Sequence, residues 1–388
     1  MRKLNFILIV ALLVFALAIP FSTSLNCYAL EEYEQINKKY FVTKENMETV
    51  LNGIGVDRTA FTQGEKDAAN YIAGKFSDYN LGMLNGSYIH SFGTGGINES
   101  KSYNVVGRLL GKSSDKHIVI GAHYDNAYKL GNKTTSSSGV YDNLSGVMCV
   151  LKLAQALSEY QKTNELACDI VFVCYGAEEV GMLGSKEFVK YCRLNNHNNI
   201  FAFNFDSIGC GEELYYYSGE VMTTYDSVIK GAVEGLTLPF EFSELPFNKK
   251  LNFFGGYENS VYSNIGLQSD IISYLNGNVS ATTFFSGNWS QSSQFVESNK
   301  FADNIHHTEN DNIEVLFERF PDCLDKINSV ISVAYASVVS GQIAEIDSSM
   351  FNGFVFNNKI IIIAIGLFTM MVIIAAGRNI SKKKIINT

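Results

Sequence analysis

His117-Ile118-Val119-Ile120-Gly121-Ala122-His123-Tyr124-Asp125 is an apolar run of strand length that ends in an imidazole and a carboxylate. Two later runs end in the same way. Asp169-Ile170-Val171-Phe172-Val173-Cys174-Tyr175 leads to Glu178-Glu179, and Ile200-Phe201-Ala202-Phe203 leads to Asn204-Phe205-Asp206. Runs this continuously apolar suit strands buried on both faces. Between the first two, Ser145 to Tyr160 sets Val147, Val150, Leu151, Leu153, Ala154 and Leu157 on one helical stripe. A further helix is expected from about Ser185. Strand, helix, strand, helix, strand is the signature of an α/β fold whose largely parallel sheet is covered on both faces.

Further out the signals are more local. Lys44 to Leu51 reads as helix. A second helix opens at Thr62-Gln63-Gly64-Glu65, with Thr62 as cap and Glu65 at the third helical position, a capping box. Tyr103 to Leu110 reads as a strand joined to the His117 run by a turn over 111–115. From Phe240 to Ser298 the chain is rich in Asn, Ser, Gly and aromatics. It reads as long loops with one strand at Ala281 to Phe285, and long loops in a compact domain are usually functional. Ile313 to Val339 closes the domain as helix. There is no internal repeat.

Both termini look like membrane-related segments. Arg2-Lys3, an apolar run from Phe6 to Pro20 and Cys27-Tyr28-Ala29 form a secretory signal pattern over residues 1–29; an uncleaved anchor is the alternative. Ile360 to Gly377 is an uncharged apolar span of 18 residues followed by Arg378, Lys382, Lys383 and Lys384. Such a span suffices to cross a bilayer, and the basic residues put the tail, 378–388, in the cytoplasm. A buried core helix is the competing reading. The expected order is signal (1–29), extracellular domain (30–340), stalk (341–359), transmembrane helix (360–377) and tail, a single-pass protein of the cell membrane.

The net charge is −9 over 388 residues, and the two ends carry seven Lys/Arg and no acid, leaving −16 on the remainder. That surface repels nucleic acid and excludes it as a partner. The seven Cys include no C-x-x-C pair and mostly sit in apolar runs, so they read as small buried hydrophobes, with a single bridged pair as the alternative.

His and carboxylates gathered at strand ends, with no Cys among them, are what a catalytic zinc site needs. His123 and Asp125 at i and i+2 can face one side, and a carboxylate behind a ligating imidazole fixes its tautomer. Glu178 and Glu179 are neighbours, so a twist out of the strand can put one on metal and the other beside a water. Asp142 begins the turn into the Ser145 helix, a suitable place for a carboxylate bridging two metals.

With these residues in place, the chain resembles the co-catalytic di-zinc aminopeptidases related to aminopeptidase Y, bacterial leucine aminopeptidase and glutamate carboxypeptidase. The resemblance rests on Gly121 to Asp125, Tyr141 to Gly146, Ala177 to Ser185, Asn204 to Gly209 and His307 to Asp311, and spans roughly residues 60–340. Ser269-Asp270 also fits, although Ile271 stands where many members have His. The resemblance implies a mixed, mostly parallel sheet between helices, two zinc ions and peptide substrates. It implies that His123 and Asp206 hold one zinc, that Glu179 and His307 hold the other, and that Asp142 bridges them. Glu178 would be the general base and Asp125 would orient His123. His306 adjoins His307, and the following Thr308 and Asp311 favour His307.

The expected activity is removal of N-terminal residues from peptides. Phe253, Phe254 and Tyr257 could line a side-chain pocket or simply pack under a loop. Glutaminyl cyclisation, carboxypeptidase action and an inactive binding ectodomain are the alternatives. The few Arg (Arg58, Arg108, Arg193 and Arg319 between the ends) give carboxypeptidase action little support.

Overall fold

The β-branched and aromatic runs form the centre of one sheet, where such side chains pack well on a pleated surface. In chain order the strands are β1 (Gly82–Met83), β2 (Ile89–Gly93), β3 (Lys101–Leu109), β4 (Ser113–His123), β5 (Cys168–Tyr175), β6 (Asn199–Phe205), β7 (Glu213–Tyr217) and β8 (Ser280–Gly287). The computed structural model describes residues 38–93, 100–130, 132–218, 224–243, 269–288 and 302–346. The expected signal segment, transmembrane helix and basic tail lie outside these residues, as do most of the expected stalk and Phe253, Phe254 and Tyr257. Among the described residues no helix is long and apolar enough to cross a membrane.

The strand order is β1-β3-β5-β4-β6-β8-β7, with β2 also paired to β3. The four central strands, β5, β4, β6 and β8, run parallel, while β3 joins β5 and β7 joins β8 antiparallel. The sheet is therefore mixed and mostly parallel. One local expectation fails. Residues 111–115 do not close a hairpin, because β5 lies between β3 and β4 and pairs with both. A turn signal shows where the chain reverses but does not say which strand lies alongside.

The helices are α1 (Lys44–Ile54), α2 (Gln63–Asp78), α3 (Ser145–Tyr160), α4 (Leu183–Leu194), α5 (Thr224–Gly235), α6 (Ile271–Asn276), α7 (Ile313–Arg319) and α8 (Cys323–Val339). On one face of the sheet, Val119, Val171, Val173 and Ala202 pack against Phe188 and Cys192 of α4 and Ile271 and Tyr274 of α6. On the other, α3 lies over β4, β5 and β6 and is itself covered by α8. That second cover explains why α3 buries most of its surface, from Ser145 to Leu157, rather than one stripe.

The single helix expected over 313–339 is broken. α7 ends at Arg319 and α8 starts at Cys323, because Pro321 disfavours helical backbone at Phe320 and lacks an N–H to continue the ladder. The capping box at Thr62 forms with a variation. Thr62 Oγ accepts from Glu65 N, but Glu65 Oε2 reaches one residue further back and accepts from Phe61 N at 2.7 Å. Past α8, Ile343 and Ala344 are buried, and Lys116 Nζ donates to the Ala344 carbonyl at 2.7 Å.

Candidate active site

Three neighbouring parallel strands deliver their ends to one place. His123 is the last residue of β4, Glu178 and Glu179 follow β5, and Asp206 follows β6. Asp142 enters from the segment just before α3, and His307 from the stretch before α7. His123 Nε2 stands 3.1 Å from Asp142 Oδ1 and 3.5 Å from Asp206 Oδ1. His307 Nε2 stands 3.0 Å from Asp142 Oδ2 and 3.0 Å from Glu179 Oε2. Asp142 thus lies between the two groups, one oxygen turned to each. His306 Nε2 is also 3.0 Å from Asp142 Oδ2. These residues, Glu178 and Met182 line one cleft. His123, Asp142 and Asp206 are buried, whereas Glu178 is partly open to the cleft.

Buried carboxylates pin the segments that carry these groups. Asp125 accepts from Glu178 N at 3.0 Å and Glu179 N at 3.1 Å, and Glu65 Oε1 accepts from Ala177 N at 3.0 Å. Three successive amides are held this way, with Ala177 in the left-handed region at φ 54°. Asp311 does the same for the other side. It accepts from Val140 N at 2.8 Å, Tyr141 N at 2.6 Å and Asp142 N at 3.3 Å. Asp125 Oδ1 is 3.6 Å from His123 Nδ1, and the Asp125 main-chain oxygen is nearer, at 3.2 Å. Ser269 Oγ donates to Asp206 Oδ2 and accepts from Asn204 Nδ2 at 2.6 Å. Asn143 Nδ2 donates to the Phe205 carbonyl at 2.8 Å, tying the Asp142 segment to the end of β6. Gly146 permits that approach: a Cβ there would lie 2.4 Å from the Phe205 carbonyl oxygen.

Arg58 lies beneath both segments with no exposed surface. It donates to the carbonyls of Tyr124, Gly55, Ser138 and Gly139 at 2.7–3.0 Å. Its burial removes Arg58 as a grip for a substrate carboxylate. In the sequence Glu65 is legible as a helix cap alone. Its acceptance from Ala177 N and Ser102 Oγ comes from parts of the chain far from α2, so no local pattern reveals it.

The electrostatics are those of an acidic cluster that needs cations. Burial pushes Glu178 well above the usual carboxyl range; His123 opposes this, while Asp270, Glu179 and Asp206 add to it. Burial works to raise Asp142 too, but hydrogen bonds from His123, His306 and His307 outweigh it and hold Asp142 well below its ordinary value. Burial disfavours the charged form of His307, yet Asp142 and Glu179 raise it to about 11.

Glu65 and Asp270 give a pH dependence whose sign is fixed. Burial, with Asp125 adding to it, raises Glu65 from 4.5 to about 8, and burial raises Asp270 from 3.8 to about 7. The folded state therefore holds these protons more tightly than the unfolded chain. Their contribution to stability is full below about pH 4 and is lost as pH rises towards 8. Thermal melts of metal-free protein at several pH values should show the melting temperature falling across that window; a rise would contradict it.

The donor set fits zinc. Two ligands at about 2.0–2.2 Å from a tetrahedral zinc stand roughly 3.3–3.5 Å apart, close to the 3.0–3.5 Å separations between the imidazoles and carboxylates here. Glu179 Oε1 is buried and makes no hydrogen bond. Without cations, the carboxylates of Asp142, Asp206, Glu178 and Glu179 would crowd one poorly solvated space.

A mixed α/β sheet with a shared carboxylate between two imidazole–carboxylate groups at its strand ends defines a metal-dependent hydrolase architecture. The chain belongs to peptidase family M28, whose family model matches residues 104–331. It is 28% identical over 198 residues to leupeptin-inactivating enzyme 1 of Streptomyces exfoliatus, covering 50% of this chain and 41% of that protein. The chain thus spans less than half the length of that curated relative. Among solved structures, a zinc aminopeptidase from Bacillus subtilis superposes with a TM-score of 0.52 at 16% identity, covering 76% of this chain and 96% of that one. A glutaminyl cyclase from Porphyromonas gingivalis gives 0.53 at 15% identity, covering 76% and 98%. At these identities the two structures speak to the fold.

Proposed function

We propose that this protein is a two-zinc aminopeptidase, tethered by residues 360–377 with its catalytic domain outside the membrane, which removes N-terminal residues from peptides. The observation that carries the reading is the carboxylate of Glu178, partly open to the cleft beside five metal donors and without an ion pair of its own among the described residues. His123 and Asp206 would hold one zinc, Glu179 and His307 the other, and Asp142 would bridge them. Bound zinc supplies a polarised carbonyl and a more acidic water.

The protein's own groups do the rest. Glu178 takes the proton of the attacking water and passes it to the leaving amine nitrogen. Its raised proton affinity suits both halves of that transfer. Asp125 and Glu65 hold the 177–179 backbone so that Glu178 and Glu179 point to different tasks.

The fold similarity to a glutaminyl cyclase keeps cyclisation of N-terminal glutamine as a second reading. The pair His123–Asp206, which would complete a second metal position, favours hydrolysis. The full chain should be assayed on aminoacyl chromogenic amides, N-blocked peptides and a glutaminyl peptide, before and after chelation. Chelator-sensitive release from free N-termini only is the expected result. Ring closure on the glutaminyl peptide without hydrolysis of the others would select the cyclase, and cleavage of N-blocked peptides would rule out a strict aminopeptidase.

A further inference from the structure

Most of the side chains that line the cleft have a place in the reading above: the five proposed metal donors and Glu178. Ser207 Oγ donates to Asp206 Oδ1 at 3.1 Å, and Gly181 and Met182 bring no side-chain donor. His306 is left, a partly exposed imidazole that the mechanism does not use. Its placement is specific. His306 Nε2 stands 3.0 Å from Asp142 Oδ2, beside the carboxylate at the centre of the site. Its ring stacks on that of His307, with 3.7 Å between centroids and 21° between planes. In-plane nitrogens of nearly parallel rings point along nearly parallel lines, so the two flank one oxygen without aiming at one ion. If His307 Nε2 points at a metal, His306 Nε2 points at the position next to it, where a substrate oxygen would lie.

We propose that His306 is a catalytic residue that donates its ring N–H to the carbonyl oxygen of the peptide bond being cleaved. This rests on the aminopeptidase reading above and extends it. As water adds to the carbonyl carbon, the π electrons of the C=O bond move onto that oxygen. Its negative charge needs a donor until the C–N bond breaks and the proton held by Glu178 passes to the leaving nitrogen. A donor fixed beforehand at that place acts where the charge develops. The base and the donor stand on different sides of Asp142. His123, on the Oδ1 side, is the charged group that acts most strongly on Glu178, while His306 lies at Oδ2. Proton removal and charge stabilisation are thereby served from separate directions. A role confined to holding Asp142 explains the placement less well. The Asp142 segment is already pinned by Asp311, and Oδ2 already has His307.

The test combines turnover with a binding measurement on the zinc-loaded full chain. Two variants accompany it: His306→Phe, which keeps a ring on His307 but has no N–H, and His306→Gln, whose side-chain amide donates from a similar reach. Turnover is followed on aminoacyl amides. Calorimetry measures the affinity of an aminoalkylphosphonic acid, a tetrahedral anion, and of the free amino acid product. His306→Phe should lower kcat by about 10²-fold, the usual worth of one such donor, with little change in KM. It should weaken the phosphonate by a similar factor but not the amino acid, with the bound zinc content unchanged. His306→Gln should recover most of both losses. Wild-type kcat and phosphonate affinity in His306→Phe would overturn the assignment while leaving the aminopeptidase reading intact. Loss of bound zinc in His306→Phe, or no recovery in His306→Gln, would also overturn it, as an effect on the metal centre or on packing. A wild type that releases no amine from any aminoacyl amide would overturn both readings together.

Discussion

Glu178→Gln should lower kcat by about 10²- to 10⁴-fold, the usual worth of a positioned general base, with little change in KM. Glutamine keeps the length and shape of the side chain but cannot accept the water's proton. The fold gives no reason for a wider effect. The contact that positions residue 178 is its backbone N–H to Asp125 at 3.0 Å, which the substitution leaves in place. The proposed metal donors His123, Asp142, Glu179, Asp206 and His307 are also untouched. A variant that retains two metals and its melting temperature but loses turnover would identify Glu178 as the base. Retention of more than a tenth of wild-type turnover would remove it from that role. A protein whose task was binding would lose nothing, so the same variant separates an enzyme from an inactive ectodomain.

The centre of the fold was readable because each central strand and α3 carries its own periodic or continuous apolar signal. Ser145–Tyr160 emerged with the expected ends, and the β4, β5 and β6 runs came within a few residues. The edges were harder. β1 is two residues long, and among the described residues β7 pairs only with β8, so neither needs a strongly patterned sequence. The 313–339 segment shows a different limit: its apolar spacing continues through Phe320-Pro321, but the proline overrides the pattern and ends the helix.

At the site the same distinction holds. Residues that stand at the ends of strong strands were legible, because a His or carboxylate there has few structural reasons to exist. The groups that hold them were not. Asp311 and Glu65 act by accepting amides 170 and 112 positions away in sequence, and such closures leave no local trace. His306 was visible only as a rival to His307, since a sequence cannot show two neighbouring rings converging on one oxygen.

Arg58→Met should be strongly destabilising, costing about 3–5 kcal/mol in metal-free protein. Against a typical domain stability of about 5–15 kcal/mol, that is a large share. Two effects combine. The carbonyls of Gly55, Tyr124, Ser138 and Gly139 lose their donor in the interior, which costs the desolvation of each unpaired group. Burial lowers Arg58 only to about 10, so it stays charged at neutral pH, and its removal deprives Asp311, Asp125, Asp142 and Glu179 of a nearby cation. The two effects respond differently to metal. Unpaired carbonyls are indifferent to it, whereas divalent ions in the cluster replace much of the missing charge. The loss of stability, measured by denaturant unfolding, should therefore be clearly smaller in excess zinc than in chelator. Lysine should rescue little, because one ammonium on a flexible stem cannot reach four carbonyls that a planar guanidinium joins. An equal loss with and without zinc would reduce Arg58 to a tie between backbone segments. A loss below about 1 kcal/mol, the range of an ordinary surface contact, would show that the acidic cluster needs no cation beneath it.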